Sequence, residues 1–221
     1  MVYRTTPKIA RRKEAHRTKL LETAVQLFGK HGYHATTVPM IVKASGSSTG
    51  SFYFYFRNKE DVFAAALERL GERIAEALNA AIAVAGEHPL QQMRAAVERL
   101  VLFMAENPDE ARILIVESSG LGARLEQIRR RIVDSHARSV EKALIQLCST
   151  LPPMDPTLIA RCWVGSVYES VYHWLEEPIA RRHPSRTVAS AVAEFNLRGI
   201  GAPYSGRLPK RKGKEDEVRK T

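Results

Sequence analysis

At 221 residues the chain has room for one medium domain, or for a small domain joined to a larger one. Its 34 Lys and Arg outnumber 24 Asp and Glu, for a formal net charge of +10. No apolar run reaches membrane-spanning length, no apolar signal core follows the charged N-terminus, and the two cysteines, Cys148 and Cys162, form no C-x-x-C. These features argue against a membrane-embedded or disulfide-stapled secreted protein and for the reducing cytoplasm, with both thiols buried and inert among apolar neighbours.

The charge is unevenly spread. Residues 1–59 hold eleven Lys and Arg against Glu14 and Glu22, residues 60–205 hold sixteen against nineteen acids, and residues 206–221 hold seven against three. A basic end on a near-neutral body is the footprint of a nucleic-acid reader. Solubility or an anionic membrane surface would call for the same charge. Residues 1–13, with Arg4, Lys8, Arg11, Arg12 and Lys13 around Pro7, read as a basic arm. Such arms enter minor grooves, and they also serve as plain solubilising tails.

A first helix is expected from about Lys13 to Lys30, where Leu20, Ala24, Leu27 and Phe28 make a core-facing stripe, with Gly32 as its cap. His31 and His34 flank that glycine with no Cys or carboxylate to complete a metal site.

Residues 37–59, TVPMIVKASGSSTGSFYFYFRNK, read as two short helices and a tight turn. Thr37 is an N-cap and Pro39 sits in the first turn, where its missing N–H costs nothing. Val38, Ile41 and Val42 form one apolar face. Gly46 permits a left-handed backbone after Ala44, and Ser48 caps the second helix, Thr49 to Tyr55. Phe52 and Phe56 share its core side. Its first turn of Thr49, Gly50 and Ser51 is small and polar, as a major-groove reader needs. Tyr53, Phe54 and Tyr55 complete the exposed side, and Lys59 follows as a phosphate contact.

Two other readings compete for this stretch. Phe52 to Phe56 has β propensity, but no partner strand lies nearby. Gly46 to Gly50 satisfies the G-x-S-x-G elbow of hydrolases, which needs a preceding strand and a parallel sheet. A helix precedes it here, and no βαβ pattern occurs.

The stretch resembles the DNA-binding domain of TetR-family transcriptional regulators. The resemblance rests on Gly32-Tyr33, Thr36-Thr37-Val38, Ile41, Ala44, Gly46, Ser48, Gly50, Tyr53, Phe56, Lys59 and Glu60 in the family's order and spacing, within residues 14–75. Two departures stand out: Ser47 replaces an apolar turn residue, and Pro39 replaces a polar side chain that reads a base in some relatives. The resemblance implies a homodimer that binds operator DNA through Thr37, Ser48, Thr49, Gly50, Ser51, Tyr53, Phe54, Tyr55 and Lys59. It also implies a C-terminal domain that releases DNA when a small molecule enters.

Asn58 caps the next helix, whose apolar positions from Val62 to Leu78 carry it to about Ala85, with Gly71 as a soft point. After the linker Gly86 to Pro89, further helices are expected over about 90–106, 108–117, 121–149, 157–176 and 186–199. A polar, basic tail, 201–221, is expected to be disordered. The all-α layout is therefore a three-helix reader (14–75) followed by a helical ligand-binding and dimerisation domain (76–200).

Met104, Arg112, Trp163, Tyr168, Tyr172 and Trp174 are candidate effector contacts, and each also reads as ordinary bundle core. The helix over 157–176 is apolar nearly all round. Val164, Val167, Tyr168, Val171 and Leu175 on it, with Val188, Val192 and Phe195 on the last helix, are the expected dimer seam, Gly165 and Ser166 allowing close approach. Two readers would then sit roughly 34–36 Å apart, one DNA turn.

The reading is a DNA-binding regulator; the family resemblance implies a repressor released by a small molecule, and the body's layout, which resembles members that sense fatty acyl compounds, implies an apolar, fatty-acyl-like one. That regulator has no cofactor, metal, membrane partner or catalytic constellation. The alternative is a helical protein- or membrane-binding module with basic ends.

Overall fold

A computed structural model describes residues 7–202, and nine α-helices account for most of them. They are α1 (Pro7–Ala35), α2 (Val38–Ser45), α3 (Thr49–Tyr55), α4 (Lys59–Val84), α5 (Pro89–Glu106), α6 (Pro108–Arg112), α7 (Ala123–Gln146), α8 (Pro156–Glu176) and α9 (Ser185–Gly199). A π-helical turn, Ile113–Glu117, continues α6, and a 3-10 turn, Ile179–Arg181, precedes α9.

Caps set the ends of the short helices. The Thr37 hydroxyl accepts the Met40 N–H, the Ser48 hydroxyl accepts the Ser51 N–H, and Asn58 Oδ1 accepts the Asp61 N–H. Gly46 takes φ 64° and returns its N–H to α2, so the turn closes at the expected residue. Ser47 is half-buried, with its hydroxyl 3.2 Å from His16 Nε2. A polar partner thus substitutes for the apolar packing that the departure removes. Phe28, Ile41, Phe52, Phe56, Val62 and Phe63 bury the reader's core. The rings of Phe28 and Phe63 meet edge to face at 5.0 Å.

Helix α1 starts earlier than expected. It opens at Pro7, inside the expected arm, because no breaker lies between Pro7 and Lys13. At Gly32 the backbone leaves helical geometry, at φ 80° and ψ 165°, so the regular helix breaks at the expected glycine before a short further turn to Ala35. Residues 1–6 of the arm and 203–221 of the tail lie outside the described residues. The tail's expected start is packed: Ile200 is buried, and Gly201 turns at φ 76° tight against Pro152.

In the body, α5 lies between α4 and α9, and α7 packs on α8 and α4. Gly71 is a close approach and no soft point in an unbroken α4, since a Cβ there would sit 2.9 Å from Ile132 Cγ1 on α7. Both cysteines are exposed, contrary to expectation, because each falls on the outward side of its element.

The expected dimer seam is also corrected. Val164, Val167, Val171, Leu175 and Val192 are buried in the protomer's own core, and Tyr168 and Val188 pack against it. Of that set only Phe195, 66% exposed, faces outward. The outward stripe of α8 is Leu158, Cys162, Gly165, Glu169 and Tyr172.

The reader docks on α6 and the π turn. A Cβ on Gly29 of α1 would lie 2.4 Å from Asp109 Cβ, so the two backbones meet at van der Waals distance only because this residue is glycine. The Glu117 carboxylate accepts the Tyr33 N–H at 2.8 Å. Arg73 of α4 pairs with Glu110 and donates to Asn107 Oδ1.

Candidate nucleic-acid interface

Helix α3 has one buried and one exposed side. Its Phe52 is fully buried, which turns Thr49, Gly50, Tyr53 and Phe54 outward. Tyr53 is 54% and Phe54 66% exposed, and a Cβ on Gly50 would meet nothing within 4 Å. The result is a capped helix with an open, nearly side-chain-free first turn and two exposed rings beyond it. Thr37 and Ser48 lie exposed at the rim, their hydroxyls engaged as caps.

Ser51 and Tyr55 face a different way from that expected. The Ser51 hydroxyl is 2.8 Å from His16 Nε2, and the Tyr55 ring lies 5.8 Å from the His16 ring. His16 therefore ties α3 to α1. It stands four residues before Leu20, in line with the stripe Leu20, Ala24 and Phe28, and that position was the available signal for it.

Lys59 also differs from a free phosphate ligand. Its ammonium donates to the carbonyls of Tyr33 at 2.7 Å and His34 at 3.3 Å, and stands 4.2 Å from the centre of the Tyr33 ring. Burial lowers its pKa. Lys59 is a strut first, holding the last turn of α1 against α4.

A second concavity, of about 360 Å³, opens in the body between the π turn, α7 and α8. Tyr168 and Tyr172 line it, with Ile115, Arg129, Gly165 and Glu169. The other expected effector residues lie elsewhere. Met104 and Trp163 are buried in the core. Arg112 pairs with Glu176 at 2.8 Å, and Trp174 donates its indole N–H to the His183 carbonyl.

The Tyr168 hydroxyl is 3.0 Å from His136 Nδ1. Burial raises the Tyr168 pKa, which the nearby Arg129 partly opposes, and burial pushes His136 down to about 4. Glu126 takes both Arg129 and Arg130, which hold its carboxyl at about 2. Arg129 and His136 escape a reading that looks for aromatic pocket residues. His136 continues the inward stripe Leu125, Ile128 and Ile132, and a histidine there marks a buried polar group.

Among the described residues no His, Cys, Asp and Glu group could hold a metal ion, and no helix is long and apolar enough to cross a membrane.

Residues 20–66 match the family model described as bacterial regulatory proteins, tetR family. The chain is 23% identical over 193 residues to the fatty acid metabolism regulator protein of Bacillus subtilis, covering 82% of this chain and 94% of that one. The fold is shared with the transcriptional regulator FadR from Bacillus subtilis in complex with stearoyl-CoA, at a TM-score of 0.72 and 20% identity over 83% of this chain and 98% of that one. It is shared likewise with AibR in complex with isovaleryl coenzyme A and operator DNA, at 0.69 and 21% over 81% and 97%. Residues 20–66 are thus a tetR-family helix-turn-helix by sequence, joined to a helical body that shares the fold of these solved regulators.

Proposed function

We propose that the protein is a cytoplasmic, non-enzymatic transcriptional repressor that binds operator DNA as a homodimer and is released by an acyl-coenzyme A. The observation that carries the DNA reading is the face of α3. Thr49 and Gly50 leave its first turn open to base edges, and Tyr53 and Phe54 project beside them. Thr37 and Ser48 lie at the rim, beside the flanking phosphates.

The body cleft is the effector site. It presents Tyr168 and Tyr172 to an acyl group and Arg129 to a polar head. Its 360 Å³ is at the small end of the range for ligand sites, about 300–1,000 Å³, so short acyl groups suit it better than stearoyl. The dimer seam is the outward stripe of α8, Leu158, Cys162, Gly165, Glu169 and Tyr172, with Phe195 of α9. The coupling runs through the π turn: Ile115 lines the effector cleft, and Glu117, two residues on, holds Tyr33 of the reader. An effector that binds better with Ile115 displaced loosens Glu117 and shifts the readers away from the operator spacing.

The test is a mobility shift with an operator selected from a random duplex library, titrated with acyl-CoAs of increasing chain length. Release by short acyl-CoAs, with free CoA inactive, is expected. Release by none of them refutes the effector assignment, and a protein that selects no sequence refutes the regulator reading.

A further inference from the structure

A cleft of about 540 Å³ lies between the first turns of α1 and the flank of α3. Arg12, Lys13, His16 and Lys19 form one wall, and the Ser51 and Tyr55 hydroxyls stand on the other, with no carboxylate in the lining. The walls are braced in register. His16 Nε2 holds both Ser51 and Ser47, the Lys13 ammonium lies 5.3 Å from the centre of the Phe54 ring, and the Arg17 guanidinium lies 5.5 Å from that of Phe56. The first buried residue of α1 is Leu20, and the turns just before it, tied to α3 by these contacts, are exposed to half-buried. A helix about 10 Å across does not enter a minor groove about 6 Å wide. On a duplex entered by α3, these turns would therefore lie along the DNA backbone.

We propose that this cleft binds a phosphodiester of the strand flanking the groove that α3 enters. Arg12 and Lys19 supply the charge, and the Tyr55 hydroxyl supplies a hydrogen-bond donor. The proposal rests on the DNA-binding reading. A lipid headgroup carries the same phosphodiester, but the cleft's second wall is α3 itself, so a strand beside that helix is the occupant that reaches it.

Arg12→Gln and Lys19→Gln test the site. Both side chains are exposed, so the fold is not at stake. Binding to a mixed-sequence duplex is followed by anisotropy through a salt series. Each substitution is expected to lower the slope of log K against log salt by about one unit. Affinity should fall by the same factor on a selected operator and on the mixed duplex. Phosphate-ethylation interference on the selected operator should show a flanking phosphate that matters to the wild type and not to the double variant.

If the wild type binds duplex DNA and the variants keep its slope, this site is overturned and the regulator reading stands. If the wild type binds no duplex, both are overturned. Phosphatidylglycerol vesicles that displace duplex of equal phosphate content from the wild type, and not from the double variant, would assign the cleft to a membrane and overturn the DNA source.

Discussion

Glu117→Ala tests how the body holds the reader. In the native chain the Tyr33 peptide is gripped from two sides: its N–H by the Glu117 carboxylate at 2.8 Å, its carbonyl by the Lys59 ammonium at 2.7 Å. Hydrogen bonds to charged groups contribute about 1.5–3 kcal/mol. This one is only partly buried, which places it near the lower end, at ~1.5 kcal/mol. If the bond exists in the DNA-binding state and breaks in the released one, its loss biases the equilibrium by that amount, about tenfold. Operator affinity in the absence of effector should then fall by up to about tenfold, and effector affinity should rise, since linkage is reciprocal. Glu117→Gln keeps an acceptor at the same place and should show a smaller shift of both. The assay pairs operator anisotropy with calorimetry of acyl-CoA binding on the same preparations. Weaker operator binding with unchanged effector affinity would make Glu117 a local support of the reader, and unchanged operator binding would refute the coupling altogether.

Gly50→Ala places a methyl group where the free protein has only open space, so the melting temperature should hold. Binding to the selected operator should drop at least tenfold, ~1.4 kcal/mol, and normal binding would remove the first turn of α3 from the groove. His136 gives a pH signature. Its folded pKa of about 4 lies below the unfolded value of 6.5, so the unfolded state binds the extra proton between these limits, and stability falls as pH drops through that window. The linkage amounts to ~2 kcal/mol between pH 7 and pH 5. Denaturant melts should show it, and His136→Phe should flatten it; an equal pH dependence in that variant would place the titrating group elsewhere. For the dimer, Phe195→Glu and Cys162→Glu should sediment as folded monomers. Val167→Glu should unfold instead, because its charge enters the protomer's own core. Folded dimers in all three would refute the outward stripe as the seam.

Helix ends in the reader are legible in sequence because caps are local chemistry. Thr37, Gly46, Ser48 and Asn58 each satisfy a backbone group within a few residues, and each ends a helix where expected. Legibility stops where the partner is distant. Gly32 breaks α1 where expected, but the Tyr33 N–H just beyond it finds its acceptor 84 residues away, and no local pattern signals that. The same holds for α3. Its small first turn identifies it, but which of its sides faces solvent depends on His16 reaching across from α1.

Helix α8 poses the harder problem, and its resolution bears on the mechanism. Two stripes fit the helical period: Ala160, Trp163, Val164, Val167, Val171 and Leu175, and Leu158, Cys162, Gly165, Glu169 and Tyr172. Apolar content reveals that both sides need cover and leaves open which is covered from within. The β-branched and larger side chains of the first stripe fill the protomer's core, where rigid branched shapes pack well. The second stripe keeps the exposed Leu158 and Tyr172 around Gly165, where an added Cβ would meet nothing and a second copy's helix has room to approach. Gly165 and Tyr172 belong to this outward stripe and also line the effector cleft. On the proposed function, an acyl group lodged beside Tyr172 would press on the seam that sets the distance between the two readers, while Ile115, which lines the same cleft, would pass the displacement to Glu117 and Tyr33. Both routes would lead to operator spacing, so on this proposal the effector would need differential affinity for only one rearranged state to move both readers together.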